Sequence, residues 1–221
     1  MTATDTGRRF GTGPLARFAA LVHTLLVVEV LVLLTGAAGI VPLVLLDRDA
    51  SNIPLVAMCA IPAGPALSAA LYALRRRSSD LTDLEPARAF LRGYRMNAAG
   101  VLKLWVPWLA WEAVLGLDLA SGRWTIPVTV VALAAALWQA NALVIASLFA
   151  FRTRDTARLA AYFLVRTPEV TLGNAGLVAL AAGVVLLWSE AVLALVAVVF
   201  VAALLRTTRP LRAGIEERFI R

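Results

Sequence analysis

Apolar runs long enough to cross a bilayer constrain this sequence more than any other feature. The last of them, residues 170–205, covers about 36 positions and contains a single charged side chain, Glu190. An α-helix needs roughly 20 residues to cross about 30 Å of hydrocarbon, because each residue advances the helix by about 1.5 Å. One crossing does not use the whole run, so we predict two membrane helices joined by a tight turn at residues 188–190.

Composition indicates the same class of protein. Hydrophobic residues make up 61% of the 221 positions, charged residues make up 16%, and the mean hydropathy is +0.82. These values lie outside the range of soluble domains, and a chain of this length has room for several spans. The single cysteine, Cys59, excludes a disulfide framework and a cysteine-based metal cluster.

The same length criterion divides the chain into six spans, which predicts an all-α integral membrane protein. The membrane domain is expected at residues 18–206, between a flexible cytoplasmic tail at residues 1–17 and a basic cytoplasmic tail at residues 207–221. The first apolar run is too long for a secretory signal, so we interpret it as a retained helix that ends near Pro42. The six spans are predicted at residues 18–42, 53–74, 101–117 and 126–151 and as two helices in residues 170–205.

Basic residues predict the orientation of these spans. Of the 21 lysine and arginine residues, all but Arg48 and Arg123 fall on one side of the predicted topology. The positive-inside rule then assigns both termini to the cytoplasm, as in a multi-pass protein of the cell membrane. Orientation in the lipid bilayer accounts for the net charge of +7, and we expect no nucleic-acid partner.

Two prolines and a glycine interrupt the second predicted span. Pro62 and Pro65 each remove a backbone donor, and Gly64 adds flexibility near the middle of the membrane. The helix is predicted to bend or unwind there and to restart at Pro65, because proline is favourable in the first turn of a helix.

One or two short helices are predicted along the cytoplasmic surface. Residues 82–85 have the form of a capping box, and Pro86 suits the first turn of the helix that would follow. Arg88, Arg92 and Arg95 then lie away from its apolar face, although a solvated connector fits the same residues. Residues 155–165 have the composition of a second surface helix.

Several polar or helix-breaking residues share one depth, roughly 15 to 20 Å from the cytoplasmic ends of their spans. They are Glu29, Pro62, Gly64, Pro65, Ser68, Glu112, Gln139 and Asn141. An acidic side chain at this depth costs about 2.5 to 3.5 kcal/mol on insertion scales, and no basic residue lies deep in a span to pair with it. One interpretation is a binding site at a broken helix, as in transporters. The other is hydrogen bonding that only holds the helices together.

Enzyme motifs are absent from the sequence. One histidine and one cysteine leave little for metal or nucleophilic chemistry, and no nucleotide-binding loop is present. We therefore expect a non-enzymatic protein with no catalytic residues, no metal site and no cofactor. Trp105, Trp108 and Trp111 recur every three positions, and they either lie at the lipid interface or offer a stacking surface to a sugar.

Part of the chain resembles a known family. Residues 59–72, which include Pro62, Gly64 and Tyr72, are similar to a pattern of the YesL family, as are Asn97, Trp105 and residues 117–119. The YesL family comprises bacterial membrane proteins classed as a domain of unknown function. The resemblance covers residues 18–119 well, and it implies relatives that often occur beside genes for carbohydrate ABC transporters and glycoside hydrolases. It supplies no catalytic residues.

Two functions follow from different parts of this reasoning. The first is an accessory or scaffold protein of a bacterial carbohydrate uptake system, in which Arg88, Arg92 and Arg95 dock carbohydrate ABC-transporter components. The second is a small stand-alone carrier whose midplane polar site is coupled to protonation of Glu29 and Glu112. The interrupted second span favours the carrier, and the family resemblance favours the scaffold.

Overall fold

The computed structural model describes residues 14–76 and 85–219, and the regular secondary structure of these residues is helical throughout. The prediction of an all-α fold is confirmed. A single turn of 3-10 helix, Ala50–Asn52, leads into the second helix. The ten α-helices of the described residues are α1 (Pro14–Leu45), α2 (Ile53–Cys59), α3 (Ala63–Arg75), α4 (Pro86–Ala120), α5 (Thr125–Leu148), α6 (Thr153–Arg166), α7 (Pro168–Leu187), α8 (Glu190–Leu195), α9 (Ala197–Thr207) and α10 (Arg209–Phe219).

Four of these helices, α1, α4, α5 and α7, are long and apolar enough to cross a membrane. The short α2 and α3 meet at an angle of 44° and together meet the same criterion, which raises the number in the described residues to five. Membrane-spanning character is therefore supported by length and composition. The stretch predicted as the sixth span is divided between α8 and α9, which meet at Val196.

Several predicted boundaries shift by a few residues. Helix α1 begins at Pro14 and continues through Pro42 to Leu45, although we predicted an end near Pro42. A membrane helix tolerates an internal proline because neighbouring groups satisfy the backbone carbonyl that loses its donor. The predicted turn at residues 188–190 is confirmed, since α7 ends at Leu187 and the Ser189 hydroxyl accepts a hydrogen bond from the Val192 N–H, at 3.3 Å.

Helix α4 merges two predicted elements. The surface helix near Arg88 and the third span form one continuous helix of 35 residues, about 52 Å long at 1.5 Å per residue. This length exceeds the roughly 30 Å of a hydrocarbon core, so α4 is longer than one crossing requires. Three of the four residues of the predicted capping box, residues 82–84, lie outside the described part of the chain. The fourth, Glu85, makes no capping bond with its side chain and instead pairs with Arg88.

The second predicted surface helix is helical, as α6, and its location at a membrane surface stays a prediction. A further helix, α10, follows. Residues 207–221 were predicted as a basic tail, and most of them form α10. Leu211 and Ile215 of α10 are fully buried beside Phe163 of α6 and Val170 of α7. The tail therefore contributes to the core as well as to the charge.

The centre of the fold is α3, which packs against α1, α4, α5 and α9. Its small side chains Ala66, Ala69, Ala70 and Ala73 are buried. Small residues allow close approach of helix backbones, and this is how helices associate where surrounding lipid removes the hydrophobic drive. Because α3 is the second half of an interrupted helix, the interruption lies next to the most densely packed part of the molecule.

Candidate functional site

The interruption between α8 and α9 brings a carboxylate to the start of a helix. Val196 separates the two helices with φ −118° and ψ 15°, and α9 then begins at Ala197. The Val198 N–H donates a hydrogen bond of 2.8 Å to Oε2 of Glu29, which lies on α1. Glu29 therefore supplies to α9, from another helix, the acceptor that an N-cap side chain normally supplies.

Electrostatics favour this arrangement. The first N–H groups of a helix have no partner within it, and the helix dipole places about half a positive charge at this end. The Glu29 carboxylate supplies both an acceptor for one of these N–H groups and a negative charge opposite the positive end of α9. Its second oxygen, Oε1, is buried and has no hydrogen-bond partner among the described residues. Glu29 thus combines one hydrogen-bonded oxygen with one buried oxygen that has no described partner.

The interruption between α2 and α3 is closed by neutral groups. The Trp105 indole N–H donates to the Ala60 carbonyl at 2.9 Å, and the Ala63 N–H donates to the same oxygen at 3.2 Å. Glycine at position 64 leaves room for the Trp105 ring, because a Cβ there would lie 2.6 Å from that ring. The predicted break is confirmed, but α3 restarts at Ala63, two residues before the predicted Pro65. Pro62 occupies the N-cap position.

Helix α1 also contacts the first interruption. A Cβ on Gly39 would lie 1.8 Å from the Cys59 carbonyl oxygen, a distance that no side chain can occupy. Glycine therefore allows the backbone of α1 to contact the last carbonyls of α2. The same long helix contacts the first interruption through Gly39 and the second through Glu29.

The predicted partners of Glu29 lie elsewhere. Asn141 accepts a hydrogen bond of 3.1 Å from Asn174, and Asn174 accepts one of 2.9 Å from the Thr207 hydroxyl. These three side chains join α5, α7 and α9. Gln139 is buried, and its Oε1 has no partner within the described ranges. Neither amide forms a described hydrogen bond to Glu29.

Ser68 and Glu112 also belong to separate contacts. The Ser147 hydroxyl donates to the Ser68 hydroxyl at 2.8 Å, which joins α5 to α3 in the core. Glu112 accepts a hydrogen bond of 3.0 Å from the Trp108 indole N–H, one turn earlier on α4. Among the residues that the structure describes, no hydrogen bond joins the two midplane carboxylates to each other or to Gln139 and Asn141. The predicted residues therefore form several contacts rather than one cluster.

The three regularly spaced tryptophans have different environments. Trp105 is buried, contacts the Trp108 ring at 4.9 Å between centroids, and holds the first interruption. Trp108 and Trp111, together with Trp138 of α5, line a cavity of about 350 Å³ between α4 and α5. The two interpretations of these residues thus apply only to Trp108 and Trp111, since Trp105 has a structural contact of its own.

The predicted docking arginines share an exposed face of α4. Arg88, Arg92 and Arg95 are exposed, whereas Phe90 and Gly93 between them are buried. Arg88 forms an ion pair with Glu85, at 2.6 Å. The face is therefore basic and accessible, and the opposite face of the same helix segment anchors it to the core.

Sequence reasoning missed the contact between Glu29 and α9. Residues 194–198, Ala-Leu-Val-Ala-Val, contain neither proline nor glycine, so no local signal marks an interruption. In the part of the chain that the structure describes, no group of three or more His, Cys, Asp or Glu side chains could hold a metal ion. No family model matches the chain, and no curated protein or solved structure is detectably similar to it. The resemblance to the YesL family stays a prediction.

Proposed function

We propose that this protein is a non-enzymatic carrier of the cell membrane, with six spans and both termini in the cytoplasm. In this topology α2 and α3 form the second span, and α8 and α9 form the sixth. The distribution of lysine and arginine supports the orientation, because only Arg48 and Arg123 fall on the exterior side. A reporter fused after Arg221 tests the topology: it should report cytoplasm, and an exterior signal would contradict the six spans.

The hydrogen bond from the Val198 N–H to Glu29 is the observation that carries the proposal. Val196 precedes Arg206 by 10 residues, about 15 Å along a helix, so the contact lies deep in the span. Discontinuous helices whose N-terminal N–H groups face a midplane site are the usual binding architecture of secondary transporters. A half-buried carboxylate at such a site is a functional candidate, because a structural role alone does not require an ionisable group.

The proposed coupling follows from the charge of Glu29. The ionised carboxylate is attracted by the positive end of α9 and accepts the N–H group of Val198. Protonation removes the charge and with it most of this attraction, so α9 becomes free to tilt relative to α1. A carrier must alternate between two conformations, and the two positions of α9 would provide them. Glu112 has its hydrogen bond within α4, and we assign it no coupling role.

Transport across vesicles tests this function. Purified protein is reconstituted into liposomes that contain a pH-sensitive dye, and a panel of mono- and disaccharides is added outside, since the YesL resemblance implies a carbohydrate context. We expect proton movement that depends on one of the sugars, and its loss in Glu29→Gln. Glu112→Gln is the matched control, because it neutralises a similarly half-buried carboxylate and should keep transport. Equal proton movement in wild-type and protein-free liposomes for every sugar would reject the carrier.

The exposed arginine face of α4 supports a second candidate, the accessory or scaffold protein of a carbohydrate uptake system. Such a protein needs a cytoplasmic docking surface, and Arg88, Arg92 and Arg95 provide a basic one. Changing all three to Gln should release a co-purifying ABC-transporter component without affecting membrane insertion. If nothing co-purifies with the wild-type protein, the scaffold candidate is rejected in favour of the carrier.

A further inference from the structure

A cavity at the cytoplasmic ends of α1, α3, α9 and α10 has a lining that no function discussed so far uses. Its volume is about 310 Å³, close to the lower limit of ligand pockets, which is roughly 300 Å³. Four arginines contribute to its wall: Arg75, Arg206, Arg209 and Arg212. None of the residues that line the cavity is acidic. It therefore presents concentrated positive charge in a concave site.

Internal partners neutralise only part of this charge. Arg75 forms an ion pair of 2.7 Å with Glu216, and Arg212 donates to the Leu205 carbonyl at 2.9 Å. The Nε of Arg212 is buried without a hydrogen-bond partner in the residues described. Burial lowers the pKa of Arg212 most, the neighbouring Arg75 lowers it further, and Glu216 raises it in part.

The rest of the lining is apolar. Leu21 and Leu25 come from the first turns of α1, Leu74 from the end of α3, and Leu205 from the end of α9. Such a cavity has a hydrocarbon wall on the side of the membrane and a guanidinium wall on the side of the cytoplasm. Guanidinium groups bind phosphate oxygens through paired N–H donors, and basic pockets between membrane helices on this side bind anionic lipid headgroups.

We propose that this cavity binds the phosphate group of an anionic phospholipid, with the acyl chains against the leucines and the phosphate among Arg206, Arg209 and Arg212. The bound lipid joins the cytoplasmic ends of α3 and α9, which are the second halves of the two interrupted helices. A free phosphate would meet the same arginines but would leave the leucine wall uncovered. The proposal does not depend on the carrier function, because it concerns a different site.

Lipid binding to the purified full-length chain in detergent tests the proposal, measured by native mass spectrometry with phosphatidylglycerol and with zwitterionic phosphatidylcholine. The test variant is Arg206→Gln with Arg209→Gln, because both side chains are exposed and their loss leaves the Arg75 and Arg212 contacts intact. The matched control is Arg92→Gln with Arg95→Gln, which removes the same charge from an exposed face elsewhere. The single change Arg209→Gln replaces the test pair if that pair does not fold.

We expect preferential binding of phosphatidylglycerol to the wild-type protein. The test pair should weaken it about 30-fold and the single change about fivefold, at about 1 kcal/mol per basic residue, while the control pair stays within about twofold of wild type. Equal weakening in both pairs, or none in the test pair, would overturn the site in favour of diffuse attraction. Thermal stabilisation by inorganic phosphate equal to that by phosphatidylglycerol, and lost in the test pair, would overturn the lipid in favour of a free anion.

Discussion

The two interrupted helices differ in how the chain closes the gap. At the α2–α3 interruption, the Ala60 carbonyl receives the indole N–H of Trp105 in addition to the Ala63 N–H, and all of these groups are uncharged. At the α8–α9 interruption, the free N–H of Val198 is accepted by the carboxylate of Glu29. The first closure does not respond to protonation, whereas the second depends on the charge of one side chain. An interruption held by an ionisable side chain responds to protonation. We therefore infer that the α8–α9 interruption moves and that the α2–α3 interruption is a fixed bend.

The helix that follows the first interruption, α3, is also more fully buried than the helix that follows the second, α9. Residues Ala66, Ala69 and Ala70, which follow the first interruption, are fully buried at the centre of the bundle. In the helix after the second interruption, Val198 and Val201 are buried but Val199 is 59% exposed. A helix that packs on one side can move with a smaller loss of contacts than one that packs on all sides. The comparison assigns rigidity to α3 and mobility to α9.

The largest expected effect tests the rigid closure. Gly39→Ala places a Cβ against the Cys59 carbonyl oxygen, a backbone atom that cannot turn aside, so α1 must separate from α2. We expect a loss of about 3 kcal/mol in the free energy of unfolding, measured by denaturation in mixed micelles. This is the upper end of the usual range for substitutions that add volume to a packed core. Gly36→Ala is the control on the same helix. Its Cβ meets only the flexible end of Ile40, at 3.1 Å, and a similar loss there would show that the effect is not specific to the interruption.

A smaller effect is expected at the ionisable closure. Glu29→Leu leaves the N–H group of Val198 without an acceptor in an apolar environment, which should lower the free energy of unfolding by about 2 kcal/mol. Glu29→Gln keeps an acceptor oxygen and should cost less than half as much. Hydrogen exchange of the Val198 amide should accelerate in Glu29→Leu. Unchanged exchange would show that Glu29 does not hold the start of α9.

Removing the neutral donor should have a still smaller effect. Trp105→Phe keeps an aromatic ring over Gly64 but loses the N–H that reaches Ala60. Because the Ala63 N–H still donates to that carbonyl, we expect a loss of about 1 kcal/mol in the same denaturation assay. The loss should not change with pH. A pH-dependent difference between Trp105→Phe and wild type would contradict the assignment of this closure as neutral.

The smallest expected effect concerns Glu190, the first residue of α8. Glu190 forms an ion pair of 3.1 Å with Arg48, and its own backbone N–H and then Arg48 lower its pKa from the ordinary value of 4.5. A lowered pKa adds stability that is present above the unfolded-state value and is lost as the pH falls through the folded-state value. Glu190→Gln should therefore cost less than about 1 kcal/mol at neutral pH, as exposed pairs do, and nothing in strong acid. A difference that persists below pH of about 3 would contradict an ionic origin.

The sequence determined the class of protein and the first interruption. Apolar runs of membrane length predict helices because only internal hydrogen bonding satisfies a backbone in lipid, and this rule needs no tertiary information. Pro62 and Pro65 predict a break for an equally local reason, since each lacks an N–H. Arginine placement likewise predicts an orientation from position alone.

Only the tertiary structure decided what the polar residues contact. Glu29, Glu112, Gln139 and Asn141 share a predicted depth, but depth does not specify the face of a helix. The hydrogen bonds of Glu29 and Glu112 lead to α9 and α4, and those of Asn141 lead to α6 and α7. The interruption at Val196 has no proline or glycine, and the Val198 N–H that follows it is accepted by a carboxylate 169 positions earlier in the chain. Local sequence predicts where a backbone loses a hydrogen bond, whereas the side chain that restores it comes from whichever helix packs alongside.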